Sequence, residues 1–151
     1  MKKLSLLILT LLCSGNVMSQ TTIFQPNLIN CSKSLLLSYK SVAKSKVTIP
    51  TNVTLEQRIA SEGDPAVWSQ AYMVKLVVPY GVGKNKNKSA CYLLDKSKII
   101  QASTVAYSPI KGRLLKLKLQ VATSDMDGNI GSTIVEKLLR VNQANGLVRL
   151  E

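Results

Sequence analysis

Residues 113–123, RLLKLKLQVAT, set Leu115, Leu117, Leu119 and Val121 at alternate positions, with Lys116, Lys118 and Gln120 between them. A period of two belongs to a β-strand with one face in a core and the other in water. A helix would scatter the same leucines around its circumference. The rest of the chain must therefore supply neighbouring strands and a cover for the apolar face.

Several segments read as those neighbours. Val53, Leu55 and Ile59 nearly alternate with polar residues, although Thr54-x-x-Gln57 also resembles a helix cap. SEGDP, residues 61–65, is turn chemistry. Trp68, Tyr72, Val74, Leu76 and Val78 mark about one face of a strand that ends at Pro79 and Gly81. ACYLLDKSKIIQASTVAY reads as a hairpin turning at Asp95 to Lys98, and SPIKG as a turn around Pro109. IGSTIVEKLLRV fits a strand or a helix, because Thr133-x-x-Glu136 imitates a capping box. Asn145-Gly146 favours a turn needing positive φ. Strands joined by short loops imply an antiparallel meander.

Residues 32–45 are the candidate cover. Leu35, Leu36, Tyr39 and Val42 lie at helical spacing, and Ser32 or Asn30 can cap the start. The expected fold class is α+β: one N-terminal amphipathic helix on an antiparallel, mostly meander sheet, in a single disulfide-braced domain.

The opening MKKLSLLILTLLCSGNVMSQ has the layout of a secretory signal peptide, with a cut expected after Ser19. Residues 20–151 then form the mature domain. A lipid anchor on Cys13 is disfavoured by Leu12, where a small residue is usual. No later apolar stretch reaches the ~20 residues of a spanning helix. Export to the periplasm or beyond follows as the expectation. In an oxidising compartment, Cys31 and Cys91 pair most simply with each other. The absence of a Cys-x-x-Cys removes support for a redox role. Three Asn-x-Ser/Thr triplets are present, but the Met-Lys-Lys opening looks bacterial, and they are left unassigned.

The chain carries 20 basic and 8 acidic residues and a net charge of +12. Between Lys84 and Lys118 the cations Lys84, Lys86, Lys88, Lys96, Lys98, Lys111, Arg113, Lys116 and Lys118 meet only Asp95 in sequence. Such a field attracts anionic surfaces. Lys84, Lys86, Lys88, Lys116 and Lys118 are the candidate residues for holding an anion or partner.

Chemistry is otherwise sparse. The chain has no histidine, the commonest general base and transition-metal ligand. Asp125, Asp127, Asn129 and Glu136 take calcium-loop spacing, but Ile130 stands where that loop needs glycine. A turn on Asp127-Gly128 accounts for the same residues. PYGVGKNKNKS lacks the first glycine of a phosphate loop. Ser41-Val-Ala-Lys44 lacks its companion Lys-Thr-Gly. Glu56 and Asp64 are a carboxylate pair that nothing selects. Tyr80 and Tyr92 flank the lysine segment, yet nucleic acid is not an expected partner of an exported chain. No metal, cofactor or catalytic residue is expected. The expectation is a small exported, non-enzymatic binding or assembly protein whose basic surface engages an anionic envelope component or a protein. An immunity or inhibitor protein and a carboxylate-dependent hydrolase are the alternatives.

Overall fold

A computed structural model of the chain describes residues 21–41, 47–49, 53–60, 72–81 and 88–151. The expected leader, Cys13, the 61–65 turn, Asp64, Trp68, Lys84 and Lys86 lie outside these residues. The described elements run β1 (Thr22–Ile23), β2 (Leu28–Asn30), α1 (Lys33–Leu37), β3 (Tyr39–Ser41), β4 (Val47–Thr48), β5 (Thr54–Ala60), β6 (Tyr72–Tyr80), β7 (Lys88–Leu94), β8 (Ser97–Ser108), β9 (Gly112–Ser124), β10 (Ile130–Asn142) and β11 (Leu147–Leu150). They form two antiparallel sheets. In the first, β9 lies between β10 and an edge shared by β8 and β1, and β11 follows β10. In the second, the order is β2-β7-β6-β5, with β3 and β4 both on the far edge of β5.

The expected α+β fold with a helical cover is overturned. The chain is mostly β, and among the described residues no helix reaches seven residues. Ser32 does cap α1, its hydroxyl accepting from the Leu35 N–H at 3.2 Å. The helix then stops after five residues and buries none of them, and Leu37 is 74% exposed. Its end is held from outside. Arg58 on β5 donates to the Leu36 and Tyr39 carbonyls at 3.1 and 2.6 Å, satisfying groups that a terminating helix leaves open. Tyr39, Lys40 and Ser41 pair with Ala60, Ile59 and Arg58. Of the residues that helical spacing claims, the ladder takes Tyr39; Leu35 and Leu36 stay in the short α1, and Val42 lies outside the described residues.

A second sheet supplies the cover instead. Leu115, Leu117, Leu119, Val121, Leu139, Val141 and Val148 of the first sheet pack in one core with Leu55, Val74, Leu76, Val78 and Leu94 of the second. Each such side chain contributes roughly 1.5–3 kcal/mol by leaving water. Residues 132–142 are strand throughout, so Thr133-x-x-Glu136 caps nothing.

The expected hairpin at Asp95–Lys98 is also corrected. β7 and β8 do not pair; the turn carries the chain from one sheet to the other. Lys96 takes φ 50 there, and the Asp95 carboxylate accepts from the Asn27 N–H. The crossing is reinforced by Gln57, which is 1% exposed. Its Nε2 donates to the Met73 carbonyl at 3.0 Å, and its Oε1 accepts from the Ile99 N–H at 2.7 Å. Gln57 therefore bridges β5 and β6 in one sheet to β8 in the other. The cysteines do join: Cys31 and Cys91 form a disulfide with Cα atoms 5.4 Å apart. It locks the chain just after β2 to its neighbour β7, where the Cys31 N–H also donates to the Cys91 carbonyl.

Candidate functional site

Two turns and the roots of a third connection meet at one end of the sandwich. The β8–β9 turn enters β9 at Gly112, whose φ is +82 and whose missing Cβ would lie 2.3 Å from the Val141 carbonyl oxygen. Only glycine permits that approach and that dihedral together. The β10–β11 turn closes through the Gly146 N–H to the Asn142 carbonyl at 2.8 Å, as Asn145-Gly146 leads one to expect. The Asn142 amide donates to the Ile110 carbonyl and so ties the two turns. The third connection, between β6 and β7, is anchored at both its roots. The Gly81 N–H donates to the Gln143 carbonyl at 3.1 Å, Lys88 pairs with Tyr80, and the Tyr92 hydroxyl donates to the Gly146 carbonyl at 2.9 Å.

On this end Lys111, Arg140, Asn142, Leu147, Arg149 and Glu151 line an open hollow of about 430 Å³. Arg140 and Arg149 stand directly opposite in the β10–β11 ladder. Like charges so placed repel unless something offsets them. Glu151 does so for Arg140, accepting from its Nε and Nη2. That contact holds the Glu151 carboxyl below the usual glutamate range, aided by the charges of Arg140 and Lys111, and raises Arg140. Among the described residues, no ion pair engages Lys111 or Arg149.

A smaller hollow of about 100 Å³ lies beside it, lined in part by Tyr107, Arg113, Asn142 and Gln143. Arg113 stacks 5.1 Å from the centre of the Tyr107 ring, and its buried Nε has no hydrogen-bond acceptor. A buried donor without an acceptor is costly and wants a water or an anion.

Of the five lysines singled out from sequence, Lys88 sits exposed at the start of β7, at this end. Lys84 and Lys86 lie outside the described residues. Lys116 and Lys118 project from the outer face of β9, but they are not a bare cationic row. Pairing with β10 brings Glu136 between them, 2.7 Å from Lys116 and 4.0 Å from Lys118. The Lys116 contact comes first among the causes that hold Glu136 below its ordinary range. Sequence reading missed Arg140, Arg149 and Glu151. The usable signal was Asn145-Gly146, since a turn there sets the two arginines opposite.

Among the described residues, Glu56, Asp125 and Glu136 are otherwise occupied. Glu56 contacts Arg58 and Lys75 at 3.4 and 3.8 Å. Asp125, the start of the calcium-like stretch, organises a turn: it accepts from the Asp127 and Asn129 N–H groups and from the Asn129 amide, while Gly128 takes φ 80. Glu136, the would-be twelfth ligand, lies along β10 with Lys116. The Asn129 hydrogen bonds depress the Asp125 carboxyl. A depressed folded value means that its contribution is present above the unfolded value and is lost as pH falls through the folded one. Acid titration followed by NMR should therefore show Asp125 protonating below the usual aspartate range, with the Asn129 amide signal moving in the same step. A titration at or above that range would show the turn hydrogen bonds to be absent in solution.

No protein-family model, curated protein or solved structure matches the chain significantly. Among the described residues no helix is long and apolar enough to cross a membrane. The disulfide is compatible with an oxidising, exported location.

Proposed function

We propose that this chain is a small exported binding protein that engages an anionic polymer of the cell envelope through the basic end of the sandwich. The reading is carried by one observation: the fold gathers Lys111, Arg140 and Arg149 around one open hollow, with a single acid among them. Arg113 and Lys88 add to the same end. The acids Asp95, Asp125 and Asp127 fall at the opposite ends of their strands. Arginine suits carboxylate and phosphate groups because its planar fork donates two parallel hydrogen bonds. Glu136 discounts Lys116 and Lys118 as the primary contact.

Retention of the protein on a phosphate-bearing polymer, eluted with salt, tests this reading. Exposed ion contacts contribute about 0.2–1 kcal/mol each. Lys111→Ala with Arg149→Ala should thus weaken binding several-fold and lower the eluting salt concentration. Lys33→Ala with Lys40→Ala removes the same charge from exposed positions near α1 and should change retention far less. Equal loss in the two double variants would reduce the interaction to net charge and reject the site. Lys84→Ser, Lys86→Ser and Lys88→Ser together should also weaken salt-dependent retention.

A further inference from the structure

We propose that β10 is a self-pairing edge through which two copies of this chain join, antiparallel, over Ser132–Glu136 with Ile134 on the two-fold axis. Among the described residues, no strand pairs with β10 on its side away from β9 between Ile130 and Leu138. β11 covers that side only from Leu139 to Asn142. Two hydrogen bonds set the phase: the Glu151 N–H to the Leu138 carbonyl and the Gly146 N–H to the Asn142 carbonyl, both 2.8 Å. In an antiparallel strand the N–H and C=O of one residue point to the same side, and the side alternates along the chain. Ser132, Ile134 and Glu136 therefore direct their backbone donors and acceptors to the open edge. Their side chains share the outer face of the sheet with Gln120 and Lys118.

Open, flat edges are liabilities that proteins ordinarily blunt. The opposite margin of this sheet is blunted: β8 breaks register against β9 twice, at Ile99/Gln101 and at Thr104/Ala106. β10 pairs with β9 without a break from Ile130 to Val141. It carries no proline, Glu136 on its outer face is already held by Lys116, and Ile134 is 59% exposed.

The identity of the occupant follows from the strand's own pattern. Turned about Ile134, the segment sets Ile134 against Ile134, Ser132 against Glu136, Thr133 against Val135 and Gly131 against Lys137. Apolar meets apolar, a hydroxyl donor meets a carboxylate, and no like charges oppose each other. Sliding one copy by two residues sets Ile134 against Ser132 or Glu136 instead. Any antiparallel pairing of a strand with its own copy is isologous, the commonest way for two identical chains to join, so the side-chain matches choose the register. Glu151 already occupies the Leu138 carbonyl, which ends the pairing at that side.

Sedimentation velocity on the oxidised protein over a concentration series tests the proposal. The mass should rise with concentration to twice that of the monomer. Ile134→Pro removes a donor that faces the open edge, so it spares the ladder to β9, and proline is tolerated at such positions. It should raise the dissociation constant at least about tenfold with an unchanged circular dichroism spectrum. Ile134→Cys gives an independent readout, valid even if the proline variant misfolds. Residues directly opposed across a hydrogen-bonded antiparallel pair lie ~5.5 Å apart at Cα, within disulfide range. Mild oxidation should link that variant into dimers, whereas Val105→Cys on β8 should stay unlinked. A monomer at every concentration, an association unaffected by Ile134→Pro, or equal linking of the two cysteine variants would overturn the proposal.

Discussion

Gln57→Ala should lower the unfolding free energy by about 3–5 kcal/mol, read as the midpoint of a urea transition. The side chain is buried between the sheets and makes three short hydrogen bonds, accepting from the Ile99 N–H and donating to the Met73 and Arg58 carbonyls. Alanine removes all three, and a buried group left unpaired costs roughly 1–3 kcal/mol. The space vacated adds a cavity cost in a core this closely packed. Gln57→Met separates the two contributions. It restores most of the volume but leaves the Ile99 N–H without an acceptor, so it should recover the cavity share and no more. If methionine were as stable as glutamine, the hydrogen bonds would contribute nothing net and the bridge would be only packing. The position matters because Ile99 stands just after the chain crosses between sheets. Loosening it frees the start of β8, whose far end carries the turn bearing Lys111.

Much of the β-structure was legible because its signals are local. The alternation at Leu115, Leu117, Leu119 and Val121 marked a strand with one buried face, and all four are buried in β9. Val74, Leu76 and Val78 did the same for β6. Asn145-Gly146 announced its turn through backbone chemistry alone. The helix was misread because Leu35, Leu36 and Tyr39 at helical spacing state only what a short segment can do in isolation. A short isolated helix is marginal, and its persistence depends on burying a face. The competing interactions, Arg58 on the carbonyls and β5 along Tyr39–Ser41, come from residues far along the chain and leave no local trace. The Asp95–Lys98 turn was visible as a turn, but a hairpin and a crossing between sheets use the same residues. The candidate site divides in the same way. The excess of cations was plain, yet which of them face an acid depends on register: Glu136 reaches Lys116 and Lys118 only because β10 lies beside β9, and Arg149 faces Arg140 only because β11 folds back.

Replacing Cys31 and Cys91 together with serine should cost about 2–5 kcal/mol, and reduction of the native protein should reproduce most of that loss. The loop closed spans 60 residues and contains β3, β4, β5 and β6, so the link restrains much of the second sheet in the unfolded chain. A chain-entropy account of a loop that long gives roughly 4 kcal/mol. Domains of this size are stable by only about 5–15 kcal/mol, so the loss is a large share of the whole. A local effect should accompany the global one. β2 is three residues long and α1 buries nothing, so besides the Cys31–Cys91 bond residues 28–37 are held mainly by the β2–β7 ladder, the half-buried Leu28 and the Arg58 contact to the Leu36 carbonyl. In the serine variant the amides of residues 28–37 should exchange with solvent well before those of β9, whose apolar face lies in the core. The two effects separate by measurement. If the urea midpoint stays put while only these amides exchange faster, the bond is a clasp for an edge strand and the entropic account is wrong. If both move, the oxidised bond underwrites the sandwich as a whole, and the chain reaches its full stability only where thiols are oxidised.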